Sequence, residues 1–89
     1  MKYKKFRAKL QAVLQDFYGG DAEVVILILI KSRGKIEYGL MIRWAQEPVE
    51  TTPVICLKNF YRQYRSGSAF DKCIGKIIEL RRNGRYGNG

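Results

Sequence analysis

An 89-residue chain with 46% apolar residues can build one compact core but has little room for an enclosed catalytic cleft beside it. It carries 17 Lys/Arg against 8 Asp/Glu and no histidine, a formal charge of +9. A histidine base is therefore excluded. With no P-loop, dinucleotide fingerprint or telling pair of carboxylates, the expectation is a non-enzymatic protein without cofactor or metal.

The charge is unevenly placed. Residues 1–10 hold Lys2, Lys4, Lys5, Arg7 and Lys9 and no acid, and residues 81–89 hold Arg81, Arg82 and Arg85 and no acid. Between them, residues 11–80 are almost neutral, so the basicity belongs to the two ends. Cations without acidic partners suit contact with a phosphate backbone. Lys2, Lys4, Lys5, Lys9, Arg81, Arg82 and Arg85 are the candidates for it, with Tyr86 available to stack on an unpaired base. No RNA-recognition sheet motif, GXXG loop or helix-turn-helix pattern accompanies them, so any nucleic-acid contact is expected to be non-specific. Simple solvation of a helix flank and an inert tail is the plainer alternative.

In chain order, Tyr3, Phe6, Leu10, Val13, Leu14 and Phe17 recur at three- and four-residue steps and predict an amphipathic helix over 2–18, stopped by Gly19-Gly20. Next comes Glu23-Val-Val-Ile-Leu-Ile-Leu-Ile-Lys31, seven apolar residues between two charges. A strand buried on one face alternates apolar with polar; this one does not, and it is predicted as the centre of a small sheet. Lys31–Lys35 has hairpin length, and the following strand alternates, with Ile36, Tyr38, Leu40, Ile42 and Trp44 on one side. Gln46–Pro53 reads as a loop and Thr52–Lys58 as a third strand, pairing antiparallel with the second or the first. Asn59–Arg65 reads as a short helix capped by Asn59. Ser68-Ala-Phe-Asp71 has capping-box spacing ahead of a final helix with an isoleucine-rich stripe, weakened by Gly75. Residues 1–82 then form one α+β domain, and the glycine-rich residues 83–89 are expected to be a flexible basic tail. The fold class is a two-layer sandwich in the order helix, three-stranded antiparallel sheet, short helix, helix.

Two helices cover only one face of such a sheet. Val25, Leu27 and Leu29, with Met41 beside them, are left as an apolar patch for self-association or a protein partner. Tyr61, Arg62 and Arg65 of the short helix are a second candidate interface, set against the plainer role of pinning that helix to the sheet. Cys56 and Cys73 lack CxxC spacing and fall in apolar patterns, so packed free thiols are expected rather than a disulfide or a zinc site. No run approaches the roughly 20 apolar residues of a membrane span, and no apolar region follows the first lysines. A cytoplasmic protein without a membrane partner is expected.

Thr52-Pro-Val-Ile-Cys-Leu-Lys-Asn-Phe-Tyr-Arg-Gln-Tyr64 resembles a T-x-x-I-x-L-N-x-Y-Y-x-x-Y pattern. The pattern belongs to an uncharacterised bacterial domain family of gut anaerobes, often near mobile elements. The Tyr-Lys-Lys-Phe opening, the Lys31–Gly34 turn, Tyr38-Gly-Leu-Met-Ile42 and the final helix follow the same order, so the likeness covers about residues 2–80. The resemblance implies the fold order and no activity. It adds one alternative to the nucleic-acid module, a protein-binding inhibitor encoded by a phage or mobile element, of the anti-CRISPR or another anti-defence type. That inhibitor would act through the apolar sheet face or the aromatic-arginine helix.

Overall fold

The computed structural model describes residues 1–83. Helix α1 (Tyr3–Tyr18) leads into strand β1 (Ala22–Ile30), which is followed by β2 (Ile36–Trp44) and the short β3 (Val54–Cys56). Helices α2 (Lys58–Arg65) and α3 (Phe70–Arg82) complete the fold. Of the expected tail, residues 83–89, all but Asn83 lie outside the described residues, Arg85 and Tyr86 among them.

The three strands form an antiparallel sheet in the order β1-β2-β3. The alternating strand β2 is therefore the centre, and the doubly apolar β1 is an edge, contrary to the expectation from its composition. Connectivity decides this: β2 pairs with β1 through a tight hairpin and with β3 through the next loop, so no strand is left for the outer side of β1. The hairpin closes on a Lys31 N–H to Lys35 carbonyl bond of 2.8 Å, with Arg33 and Gly34 at positive φ.

One core lies between the sheet and the helices. Phe6, Leu10 and Leu14 of α1 meet Val24, Leu40, Ile42 and Ile55 of the sheet and Phe60, Cys73 and Ile77 of the later helices. The four-residue spacing of the α1 contributors places them on one stripe. Val13 and Phe17, expected in that stripe, are exposed, with Phe17 at an open margin beside Tyr18. Gly19 at φ 67° ends the helix in a conformation open to glycine.

Three local expectations are corrected. The third strand is only Val54–Cys56, because Thr52 and Pro53 complete a loop in which the Thr52 hydroxyl donates to the Pro48 carbonyl at 2.7 Å. Helix α2 starts at Lys58 after Leu57, one residue ahead of the expected Asn59 cap, with no side-chain cap. Helix α3 is preceded by Ala69 rather than Ser68, and the capping box does not form, since the Ser68 N–H is bonded to the Gln63 carbonyl. Both cysteines are free thiols. Cys73 is buried at the α2–α3 contact, where burial pushes its thiol pKa up, and Cys56 is half-buried.

Candidate functional site: a basic aromatic end and an open sheet

The start of α1 and the length of α2 meet at one end of the molecule. The Tyr61 hydroxyl donates to the Met1 carbonyl at 2.9 Å, and the Tyr61 ring stacks on Tyr3 with centroids 4.7 Å apart. Phe6 packs against both Tyr61 and Tyr64. Tyr61 and Tyr64 thus pack against α1 rather than pinning their helix to the sheet, and this packing brings two separately noticed features, the basic first helix and the aromatic-arginine helix, onto one surface.

Between these helices and the start of β2 lies a groove of about 440 Å³, lined by Tyr3, Lys35, Ile36, Glu37, Lys58, Tyr61 and Arg62. Three cations converge on it. Its single acid, Glu37, is paired with Lys31 at 3.3 Å. The Tyr3 hydroxyl is buried without a hydrogen-bond partner, and burial raises its pKa despite the opposing influence of Arg7. Arg7 lies over the Tyr38 ring at 3.5 Å and the Tyr3 ring at 4.5 Å, so its charge is held against the aromatic floor.

The remaining basic candidates divide. Lys2, Lys4, Lys5 and Lys9 are exposed, and none forms an ion pair among the described residues. The first turn of α1 holds no acid, so Lys2, Lys4 and Lys5 stand against the positive end of the helix dipole. Arg82 is exposed. Arg81 is otherwise engaged: its guanidinium grips the Glu47 carboxylate, donates to the Ile42 carbonyl at 2.9 Å and lies 4.9 Å from the Trp44 ring centroid. With its side chain only 9% exposed, Arg81 ties α3 to the sheet rather than presenting a cation. Its hydrogen bond holds the Glu47 carboxyl below the ordinary carboxylate range.

The far face of the sheet carries the other candidate. Val25, Leu27 and Leu29 point there and are half-buried. Met41, expected in the exposed patch, is 6% exposed. It sits on the central strand directly between Val25 and Val54, and its neighbours on both sides cover it. Gly39 in the next row leaves a dip that Val54 and Leu29 lean into, with Cγ1 of Val54 2.6 Å from where a Cβ would stand. The patch is smaller than the sequence suggests and is centred on β1. Arg65 lies on the exposed side of α2, 5.9 Å from the Tyr61 ring centroid.

Lys35 and Lys58 were not singled out in the sequence, and Tyr3 stood out only as part of the α1 stripe. Lys35 and Lys58 flank predicted strands with no pattern of their own, and only the meeting of hairpin and α2 puts them together. Among the described residues no group of three or more His, Cys, Asp or Glu could hold a metal ion, and no helix is long and apolar enough to cross a membrane.

A helix, an antiparallel three-stranded sheet and two further helices define this as a small mixed α+β domain. The chain belongs to a family of unknown function, DUF5688, whose model matches residues 3–88. That agrees with the resemblance to a domain family without assigned activity. No curated protein and no solved structure matches the chain.

Proposed function

We propose that this chain is a small, non-enzymatic binding module that holds the phosphate backbone of a nucleic-acid strand at its basic aromatic end. The observation that carries the reading is the groove in which Lys35, Lys58 and Arg62 converge beside the stacked Tyr3 and Tyr61. Cations supply backbone affinity, and the half-buried Tyr3 and Tyr61 rings give the groove an aromatic wall indifferent to base sequence. The lysines of α1 extend the same field. Lys2, Lys4 and Lys5 stand where a helix would gain from acids, a local cost that an arriving phosphate relieves. Nothing in this arrangement reads base edges, so the binding is non-specific.

Fluorescence anisotropy with a labelled single-stranded oligonucleotide tests this across a salt series. The wild type is expected to bind with affinity falling steeply as salt rises. The variant Lys35→Glu/Lys58→Glu/Arg62→Glu should flatten the slope of log affinity against log salt by about two, the share of three single-strand phosphate contacts. Salt-independent binding, or a triple variant that binds like the wild type, would sink the reading. The protein-binding inhibitor remains the second reading. The half-buried Val25, Leu27 and Leu29 on the open face favour it, and it predicts a partner whose affinity barely responds to salt.

A further inference from the structure

Strand β1 is an edge strand of nine residues with no proline and no charge between Glu23 and Lys31. Soluble proteins normally blunt such edges, because unpaired N–H and carbonyl groups template another strand. Here only half of the edge is blunted. The Lys31–Lys35 bond sets the alternation of the hairpin, so odd-numbered β1 residues bond to β2 and even-numbered ones turn their backbone groups outward. At the first half these outward groups are met by two glutamines of α1. The Gln15 Oε1 accepts from the Val24 N–H at 3.0 Å, the Gln15 Nε2 donates to the Ala22 carbonyl at 2.8 Å, and the Gln11 Nε2 donates to the Val24 carbonyl at 3.0 Å. Beyond Val24 no hydrogen bond meets the outward groups of Ile26, Ile28 and Ile30 among the described residues. The side chains there are also bare: Ile28 is 65% and Ile30 80% exposed, with Ile36 beside them at 60%.

We propose that this open half-edge pairs antiparallel with the same edge of a second copy, on a two-fold axis through Ile28, making one continuous six-stranded sheet. The outward groups restrict the register. An axis at Ile28 sets Ile26 against the partner's Ile30 and Ile28 against the partner's Ile28, using every open residue and leaving both glutamine caps intact. An axis at Leu27 would demand Val24, whose N–H and carbonyl are already taken. Charge agrees: the antiparallel arrangement brings the Asp21–Glu23 end of each strand to the Lys31–Lys35 tip of the other, whereas a parallel one would stack basic tips together. Pairing also resolves the oddity of the strand. In the dimer β1 becomes one of two central strands, and both of its apolar faces gain neighbours. On the helix side, Ile30 meets the partner's Ile26, which packs against its own core. On the open side, Leu27 meets the partner's Leu29.

Sedimentation equilibrium on the full chain over a concentration series is expected to give a dimer. Ile28→Lys, at an exposed position, should raise the dissociation constant on the order of 100-fold or more, since two buried isoleucines are lost and two lysines face each other. Its circular dichroism spectrum should stay that of the wild type. Val49→Lys, at another exposed apolar site beyond β2, should leave the dimer unchanged. In a Cys56→Ser background, Ile28→Cys is expected to form an intermolecular disulfide, because facing bonded residues stand about 5.5 Å apart at Cα. Leu27→Cys should not. A monomeric wild type, a dimer indifferent to Ile28→Lys, or cross-linking at Leu27 in place of Ile28 would overturn the proposal. None of these variants alters Lys35, Lys58 or Arg62, so this test and that of nucleic-acid binding fail independently.

Discussion

At the scale of single residues, Gly39 and Gly75 show how context decides what a glycine is for. An alanine Cβ at Gly39 would stand 2.6 Å from Cγ1 of Val54, a stiff β-branched side chain on the short strand β3. Gly39→Ala is expected to cost about 1–3 kcal/mol as β3 is pushed out of register, read as a lower urea midpoint. A Cβ at Gly75 would meet nothing within 4 Å, and its backbone is helical. Gly75→Ala should stabilise the protein by about 0.5–1 kcal/mol and raise the thermal midpoint by several degrees. Glu47 adds a pH dependence. Its carboxyl pKa is held below the ordinary value of 4.5, chiefly by the hydrogen bond from Arg81. The folded state therefore binds this proton less readily than the unfolded chain. The contribution is complete above pH 4.5 and is lost as pH falls through the depressed folded value. Glu47→Gln should be less stable than wild type near neutrality, with the gap closing as the solution is acidified below that range. Urea midpoints across pH check it.

At the scale of elements, α1 does two jobs with two faces. Phe6, Leu10 and Leu14 supply the core, while Gln11 and Gln15, on the adjacent flank, substitute for a missing strand at the start of β1. Gln15→Ala would strand the Val24 N–H and the Ala22 carbonyl, and a loss of about 1–3 kcal/mol is expected from the urea midpoint. Hydrogen exchange separates the two halves of the edge. The Val24 amide should be protected at every protein concentration. The Ile28 and Ile30 amides should become protected only as the second copy binds. The helix positions, the hairpin and the β2 alternation were legible in sequence, because they depend on local periodicity and a short connection. The cap positions of α2 and α3 were not. There the chain's entry from β3 and the Gln63–Ser68 bond outweigh the intrinsic preferences of Asn59 and Ser68 for the cap.

At the scale of the whole molecule, net charge and apolar surface make separable demands. Unpaired lysines on α1 repel one another, so added salt should raise the thermal midpoint modestly even as it weakens the proposed nucleic-acid binding. Opposite responses of stability and binding in one buffer series would distinguish a functional basic end from a solvating one. The candidate site was legible only in pieces. The acid-free N-terminus and the aromatic-arginine segment stood out in the chain, but their union with Lys35 and Lys58 depended on how α1, α2 and the hairpin pack.

The sequence alone determined the α+β class, the order of elements, Phe6, Leu10 and Leu14 as core positions of α1 and the abnormal character of Val24–Ile30, since periodicity and composition are local properties of the chain. It also marked that strand as one to be buried on both sides. Only the tertiary structure decided that β1 is an edge, because strand order depends on which partners the connections can reach. It also showed that Arg81 is bound to Glu47, that Met41 is covered, and that two glutamines shield half of the edge. A strand composed for the middle of a sheet stands at its margin, and a second copy of the same edge is what would return it to the middle.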